Sequence, residues 1–102
     1  MIQTEPPTNL HVIKPQRDIV ASCVDEFRKE LQALITAGHV NLAIDLDGVG
    51  MIDSRGLGLF MMCQKSASDR GGRLTLVTAN ESFRQLFHVM RLDEHVAVVD
   101  AL

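Results

Sequence analysis

The chain has neither tryptophan nor tyrosine and only four phenylalanines. Its interior must therefore be built from Leu, Ile, Val, Met and Ala. Basic residues are not in excess: ten Lys and Arg stand against thirteen Asp and Glu, for a formal charge of −3, and the cations are scattered. A surface for nucleic acid needs clustered Lys and Arg to displace counterions, so direct nucleic-acid binding is excluded. No apolar run approaches the roughly 20 residues of a membrane span, which argues against membrane insertion. The amino terminus, Met1-Ile2-Gln3-Thr4-Glu5-Pro6-Pro7, lacks the basic-then-apolar pattern of an export signal. Cysteine is limited to Cys23 and Cys63, without the close spacing of a metal or redox pair. Both lie within apolar helical patterns and read as small buried hydrophobes in a reducing cytosol. These absences describe a soluble cytoplasmic protein. A length of 102 residues allows one domain with a modest core.

Residues 1–9, broken by Pro6-Pro7, read as a flexible leader to a single domain over 10–102. Leu10 to Ile13 is a short strand. Pro15-Gln16-Arg17-Asp18 is turn material, with Asp18 placed to cap a helix. From Ile19 to Ala37, Val20, Val24, Phe27, Leu31, Leu34 and Ile35 recur at helical spacing, with charges on the opposite side. Gly38 is the natural stop. Val40 to Leu46 alternates, predicting a strand with one strongly apolar face. Ser54 to about Asp69 is a helix apolar nearly all round, so its first two turns, including Met61 and Met62, are expected in the core. Gly71-Gly72 ends it. Arg73 to Thr78 is a strand, Asn80 caps a short helix bearing Phe83, Leu86, Phe87 and Met90, and Val96 to Val99 is a last strand. The alternation predicts an α/β fold: a mixed, mostly parallel sheet of about four to five strands, with three to four helices packed on it.

The chemistry concentrates where the second strand ends and the second long helix begins. Asp53 is a favoured N-cap, and Ser54, Arg55 and Gly56 then occupy the first helical turn. The free amides there carry about half a unit of positive charge, so a phosphate on Ser54 is expected to find donors nearby. No base is placed to make Ser54 a nucleophile, which favours modification or docking over catalysis. Asp53 and Ser54 also serve as a plain helix start, with Gly56 and Gly58 allowing close packing on the sheet; residues alone leave both readings open.

The run Leu42-Ala43-Ile44-Asp45-Leu46-Asp47-Gly48-Val49-Gly50-Met51-Ile52-Asp53-Ser54-Arg55-Gly56-Leu57-Gly58 resembles the signature of STAS domains, the family of the bacterial anti-sigma factor antagonists. The likeness extends through Asp18-Ile19-Val20-Ala21-Ser22 and Phe27-Arg28 to Gly71-Gly72-Arg73-Leu74-Thr75-Leu76-Val77, Phe83-Arg84-Gln85-Leu86-Phe87 and Leu92-Asp93. It implies a non-enzymatic switch. The antagonist binds an anti-sigma factor that is also a serine kinase of the histidine-kinase-like ATPase type, is phosphorylated by it, and is restored by a serine phosphatase. Carried onto this chain, Ser54 is the acceptor, and Asp53, Ser54, Arg55, Gly56, Leu57 and Gly58 form the helix end that meets the partner, the chain itself being a monomer or weak homodimer. A phosphate adds about −1.5 to −2 charges. In the middle of a contact this opposes binding by more than about 2 kcal/mol.

Three positions depart from the family pattern. Arg55 stands where many members carry a second hydroxyl, and Arg17 and Arg91 stand where glycine is common. An alternative implied by the same resemblance is a non-switching scaffold subunit of a stressosome-like or transporter-associated assembly. No cofactor is implied. Asp45, Asp47 and Asp53 have no fixed ligand spacing for magnesium. His11, His39, His88 and His95 lack the pairing of a zinc site. Gly56-Leu57-Gly58 lacks the third glycine and the acidic residue of a dinucleotide fingerprint.

Overall fold

The computed structural model describes residues 10–102; the expected flexible segment 1–9 lies outside them. Strands β1 (His11–Ile13), β2 (Asn41–Asp45), β3 (Arg73–Val77) and β4 (Ala97–Val99) alternate with helices α1 (Val24–Thr36), α2 (Ser54–Ser68) and α3 (Glu81–Val89). The sheet order is β1-β2-β3-β4 and every neighbouring pair is parallel. The expected mixed sheet is thus wholly parallel among the described residues. Ile13, Ile44, Leu76 and Val98 stand side by side across it, as do Val12, Ala43, Thr75 and Ala97 on the opposite side.

Strands that follow one another in a single direction, joined by crossovers of one hand, receive their helices on one face. The packing agrees. Phe27 and Leu31 of α1, Phe60 and Cys63 of α2, and Phe87 of α3 join Leu42, Ile44, Leu74 and Leu76 in one core cluster. Phe60 meets Phe87 edge-on, with ring centroids 6.3 Å apart. Burial of a side chain of this size contributes about 1.5–3 kcal/mol. Ala43, which the alternation along β2 places opposite the face of Leu42 and Ile44, is nonetheless fully buried. It is a short side chain in an interior strand, flanked by Val12 and Thr75.

The first helix begins later than the pattern predicts. Asp18 does not cap it, and Ile19 is not helical. Ile19 forms a parallel bridge with Ile52: its N–H donates to the Met51 carbonyl at 2.8 Å, and its carbonyl accepts from the Asp53 N–H at 3.3 Å. The Asp18 carboxylate accepts from the Gly50 N–H at 3.2 Å. This tertiary pairing takes the backbone groups that a helical turn would use. The chain turns at Val20, whose carbonyl receives the Cys23 and Val24 N–H groups. Cys23 then opens α1 with no side-chain cap and stays half-buried, so it is not the core residue expected. At the other end Gly38 does stop α1. With φ at +102°, it directs its N–H to the Ile35 carbonyl and that of His39 to Leu34.

Helix α2 starts and ends close to its predicted bounds but is less buried than expected. Leu57, Leu59, Phe60, Cys63 and Ala67 face inward, whereas Met61 and Met62 are 38% and 37% exposed. The inward stripe is only as wide as the contact with α1, β3 and α3. Asn80 caps α3 as predicted, its side-chain oxygen accepting from the Ser82 and Phe83 N–H groups at 2.8 and 3.2 Å. The chain leaves α3 through Arg91, which adopts φ +59° and leads into a single 3-10 turn at Leu92–Glu94.

Candidate functional site

The site begins with the apolar pattern of β2, which ends at Asp45. Lys14 pairs with the Asp45 carboxylate at 3.7 Å, and the Asp47 N–H bonds to it at 3.0 Å, turning the chain out of the sheet. The following loop buries Leu46, Val49 and Ile52 and leaves Gly50 and Met51 outside. It is held along its length by the segment Asp18–Ala21, through the bonds to Gly50, Met51 and Asp53 described above. This strap fixes where α2 begins.

Asp53 is the joint. It lies in extended conformation, with φ −102° and ψ −174°, and one carboxylate oxygen accepts from the N–H groups of Arg55 at 3.0 Å and Gly56 at 3.1 Å. The other oxygen accepts from the Ala21 N–H at 3.0 Å. The Gly56 and Ala21 amides hold the carboxyl below the ordinary aspartate range, and the Arg55 amide and guanidinium add to this; partial burial opposes them. Gly56 is required by contact with the strap: a Cβ there would stand 2.4 Å from the Ile19 carbonyl oxygen. Gly58 has no such role, since a Cβ there would meet nothing within 4 Å. The expectation that both glycines permit close packing on the sheet is corrected on both counts.

Ser54 is the first residue of α2 and is exposed, as are Arg55 and Gly58, while Asp53 is half-buried. Among the described residues the Ser54 hydroxyl makes no hydrogen bond and the Arg55 guanidinium has no carboxylate within ion-pair distance. Gly56 and Leu57 are buried, so they support the surface from beneath and are not part of it. Two of the first-turn amides expected to receive a phosphate on Ser54 are not open. The Arg55 and Gly56 N–H groups are already taken by Asp53. A dianion on Ser54 would stand beside a carboxylate and project outward, with Arg55 as the adjacent cation.

Sequence reasoning missed the strap. The signal was the phase of Ile19, which falls roughly 140° around a helix from Val24 and so off the stripe of Phe27, Leu31 and Ile35. The remaining candidates do not assemble with Ser54. His11 and His39, distant in sequence, bring their rings to 4.8 Å. His88 bonds Asp93 at 3.0 Å. Among the described residues no group of three or more His, Cys, Asp or Glu is placed to hold a metal ion. No described helix is long and apolar enough to cross a membrane. A cleft of about 400 Å³ at the ends of β2 and β3, lined by Asp45, Asp47, Asn80 and Asp100, excludes Ser54.

Comparison with known proteins follows the same lines. The family model described as "Mlab, STAS domain" matches residues 12–100. A Thermotoga neapolitana protein named as an anti-sigma factor antagonist homologue is 26% identical over 92 residues, covering 89% of this chain and 81% of its own. The crystal structure of its counterpart from Thermotoga maritima superposes with a TM-score of 0.87 at 24% identity, over 96% of this chain and 85% of that one. The anti-sigma factor antagonist SpoIIAA matches in its unphosphorylated form with a TM-score of 0.74 at 18% identity, over 96% and 86% of the two chains. Its phosphorylated form, from Bacillus, gives 0.69 at 20%, over 94% and 88%. The chain belongs to the STAS domain family, and the Thermotoga proteins and SpoIIAA that it resembles bear the name of anti-sigma factor antagonists.

Proposed function

We propose that this protein is an anti-sigma factor antagonist that binds a kinase-type anti-sigma factor and is released from it by phosphorylation of Ser54. The observation that carries the reading is the Ser54 hydroxyl, exposed and without a hydrogen-bond partner among the described residues, at the first position of a helix whose start is locked by Asp53. In the transfer, the bond from Ser54 Oγ to phosphorus forms as the bond from the γ-phosphorus to the ADP oxygen breaks. The kinase accepts the hydroxyl proton. A serine phosphatase then hydrolyses the ester and restores the binding form. That SpoIIAA is known in a phosphorylated and an unphosphorylated form supports the proposal. The protein acts by occupying its partner, in the compartment where kinase, ATP and sigma factor meet.

Incubation with purified histidine-kinase-like anti-sigma factors of the source organism and ATP tests this. The expected result is a mass increase of one phosphate, lost in Ser54→Ala, and weaker binding by Ser54→Asp. A Ser54→Ala protein that is still phosphorylated would refute the assignment. A non-switching scaffold subunit would instead bind its assembly equally well as native protein and as Ser54→Asp.

A further inference from the structure

The fold brings together two histidines that lie far apart along the chain. His11 opens the edge strand β1, and His39 stands in the link between α1 and β2. Parallel pairing of His11 with Leu42 carries the first ring to the end of the sheet where α1 delivers the second. Gly38 fixes that delivery: it turns the chain at φ +102°, and the His39 N–H returns to the Leu34 carbonyl at 2.9 Å. The ring centroids come to rest 4.8 Å apart with their planes inclined by 45°. Both residues are half-buried, so the rings are held in place and still meet solvent. His11 also borders an open groove with Val12, Glu30 and Leu34, which gives an ion a way in. Neither imidazole hydrogen-bonds to a described residue, in contrast to His88, whose Nδ1 meets the Asp93 carboxylate at 3.0 Å.

Rings inclined by 45° are not stacked face to face. Two imidazoles on one tetrahedral zinc ion place their nitrogens about 2.0–2.1 Å from it, which sets the ring centres about 5 Å apart. The observed spacing of 4.8 Å agrees with this. Imidazole nitrogen suits zinc, copper and nickel, whereas magnesium and calcium take oxygen. Protons compete for the same nitrogens: two imidazolium rings this close repel each other, and an ion that displaces the protons joins them instead. Among the described residues no third His, Cys, Asp or Glu completes the set, so water fills the remaining positions. We propose that His11 and His39 form a two-imidazole site for a divalent transition-metal ion, with zinc and copper the ions that fit. Bound there, the ion ties the short edge strand β1 to the start of β2. The site lies before β2, at the end of the sheet opposite the one that leads to Ser54, and is independent of the phosphorylation proposed there.

Isothermal titration calorimetry of the untagged chain with zinc chloride at neutral pH tests the site. The expected result is one ion per chain, bound about tenfold or more weakly by His11→Ala and by His39→Ala, and within about twofold of native by His88→Ala and His95→Ala. Copper should bind more tightly than zinc, and magnesium should give no signal. Circular dichroism verifies that each variant is folded. A second measurement needs no variant: in the native protein, zinc should shift the imidazole resonances of His11 and His39 and leave those of His88 and His95 in place. Native protein that takes no zinc, or zinc binding unchanged in both His11→Ala and His39→Ala, overturns the proposal. Binding lost in His88→Ala alone would move the ion to the His88–Asp93 pair, and a magnesium response equal to that of zinc would move it to carboxylates; either result also overturns it.

Discussion

Gly56 and Ile19 meet backbone to backbone, so closely that a Cβ on Gly56 would lie 2.4 Å from the Ile19 carbonyl oxygen and 3.0 Å from its branched methyl. Gly56→Ala is expected to lower unfolding stability by about 1–3 kcal/mol, the usual cost of forcing atoms into filled space. Gly58→Ala, two residues along the same helix and facing open space, should raise it by about 0.5–1 kcal/mol by restricting the unfolded chain. Urea titration of the two variants reads opposite signs if the strap sits as described.

Asp53 gives the fold an acid-sensitive element. Its carboxyl is held below the ordinary value of 3.8 by the Gly56, Ala21 and Arg55 amides. The ionised form is thus preferred by the folded state, and its contribution is full above that value. It is lost as pH falls through the depressed folded-state value. Thermal midpoints of native protein should decline on acidification through that range, and Asp53→Ala, less stable at neutral pH, should decline less.

The two thiols should separate cleanly. Cys23 is half-buried at the start of α1, whereas Cys63 is buried and its thiol is pushed up to about 11 by that burial. Alkylation of native protein at pH 8 is expected to modify Cys23 readily and Cys63 only after unfolding. Because the folded-state value of Cys63 exceeds its ordinary 9.0, stability should also fall as pH rises above about 9, and Cys63→Ala should flatten that decline.

Arg91 holds a left-handed conformation, φ +59°, at the exit from α3. Such a conformation costs a side-chain-bearing residue roughly 1–2 kcal/mol, partly offset by the greater unfolded-state freedom of glycine. Arg91→Gly should therefore stabilise the protein by about 0.5–1 kcal/mol. Its exposed ion pair with Glu94, at 3.9 Å, contributes little at that distance from the core. A thermal midpoint a few degrees above native is the expected reading.

Core packing offers a larger effect. Phe60 is fully buried against Phe87 at the meeting of α2 and α3. Phe60→Ala should cost about 3–5 kcal/mol, visible as a large drop in the urea midpoint.

These sites were not equally legible. The starts of α2 and α3 could be read directly, because Asp53 and Asn80 satisfy amides two and three residues away and local chemistry decides the outcome. The glycine stop after α1 is equally local. The start of α1 was not legible, because Asp18 and Ile19 find their partners at Gly50, Met51 and Asp53, and no window along the chain contains both sides. The exposure of Met61 and Met62 was hidden for another reason. Apolar pattern counts a methionine toward the core, while the width of the buried stripe is set by neighbouring helices. The choice of glycine at position 56 looked like helix-on-sheet packing and proved to be a contact with an extended segment.

The Asp53 carboxylate is shared between the first turn of α2 and an amide 32 residues earlier in the chain. Fraying at one end therefore removes the anchor of the other. Under native conditions, deuterium uptake at Ala21, Arg55 and Gly56 should follow one common opening, as though two remote stretches formed a single hinge pin.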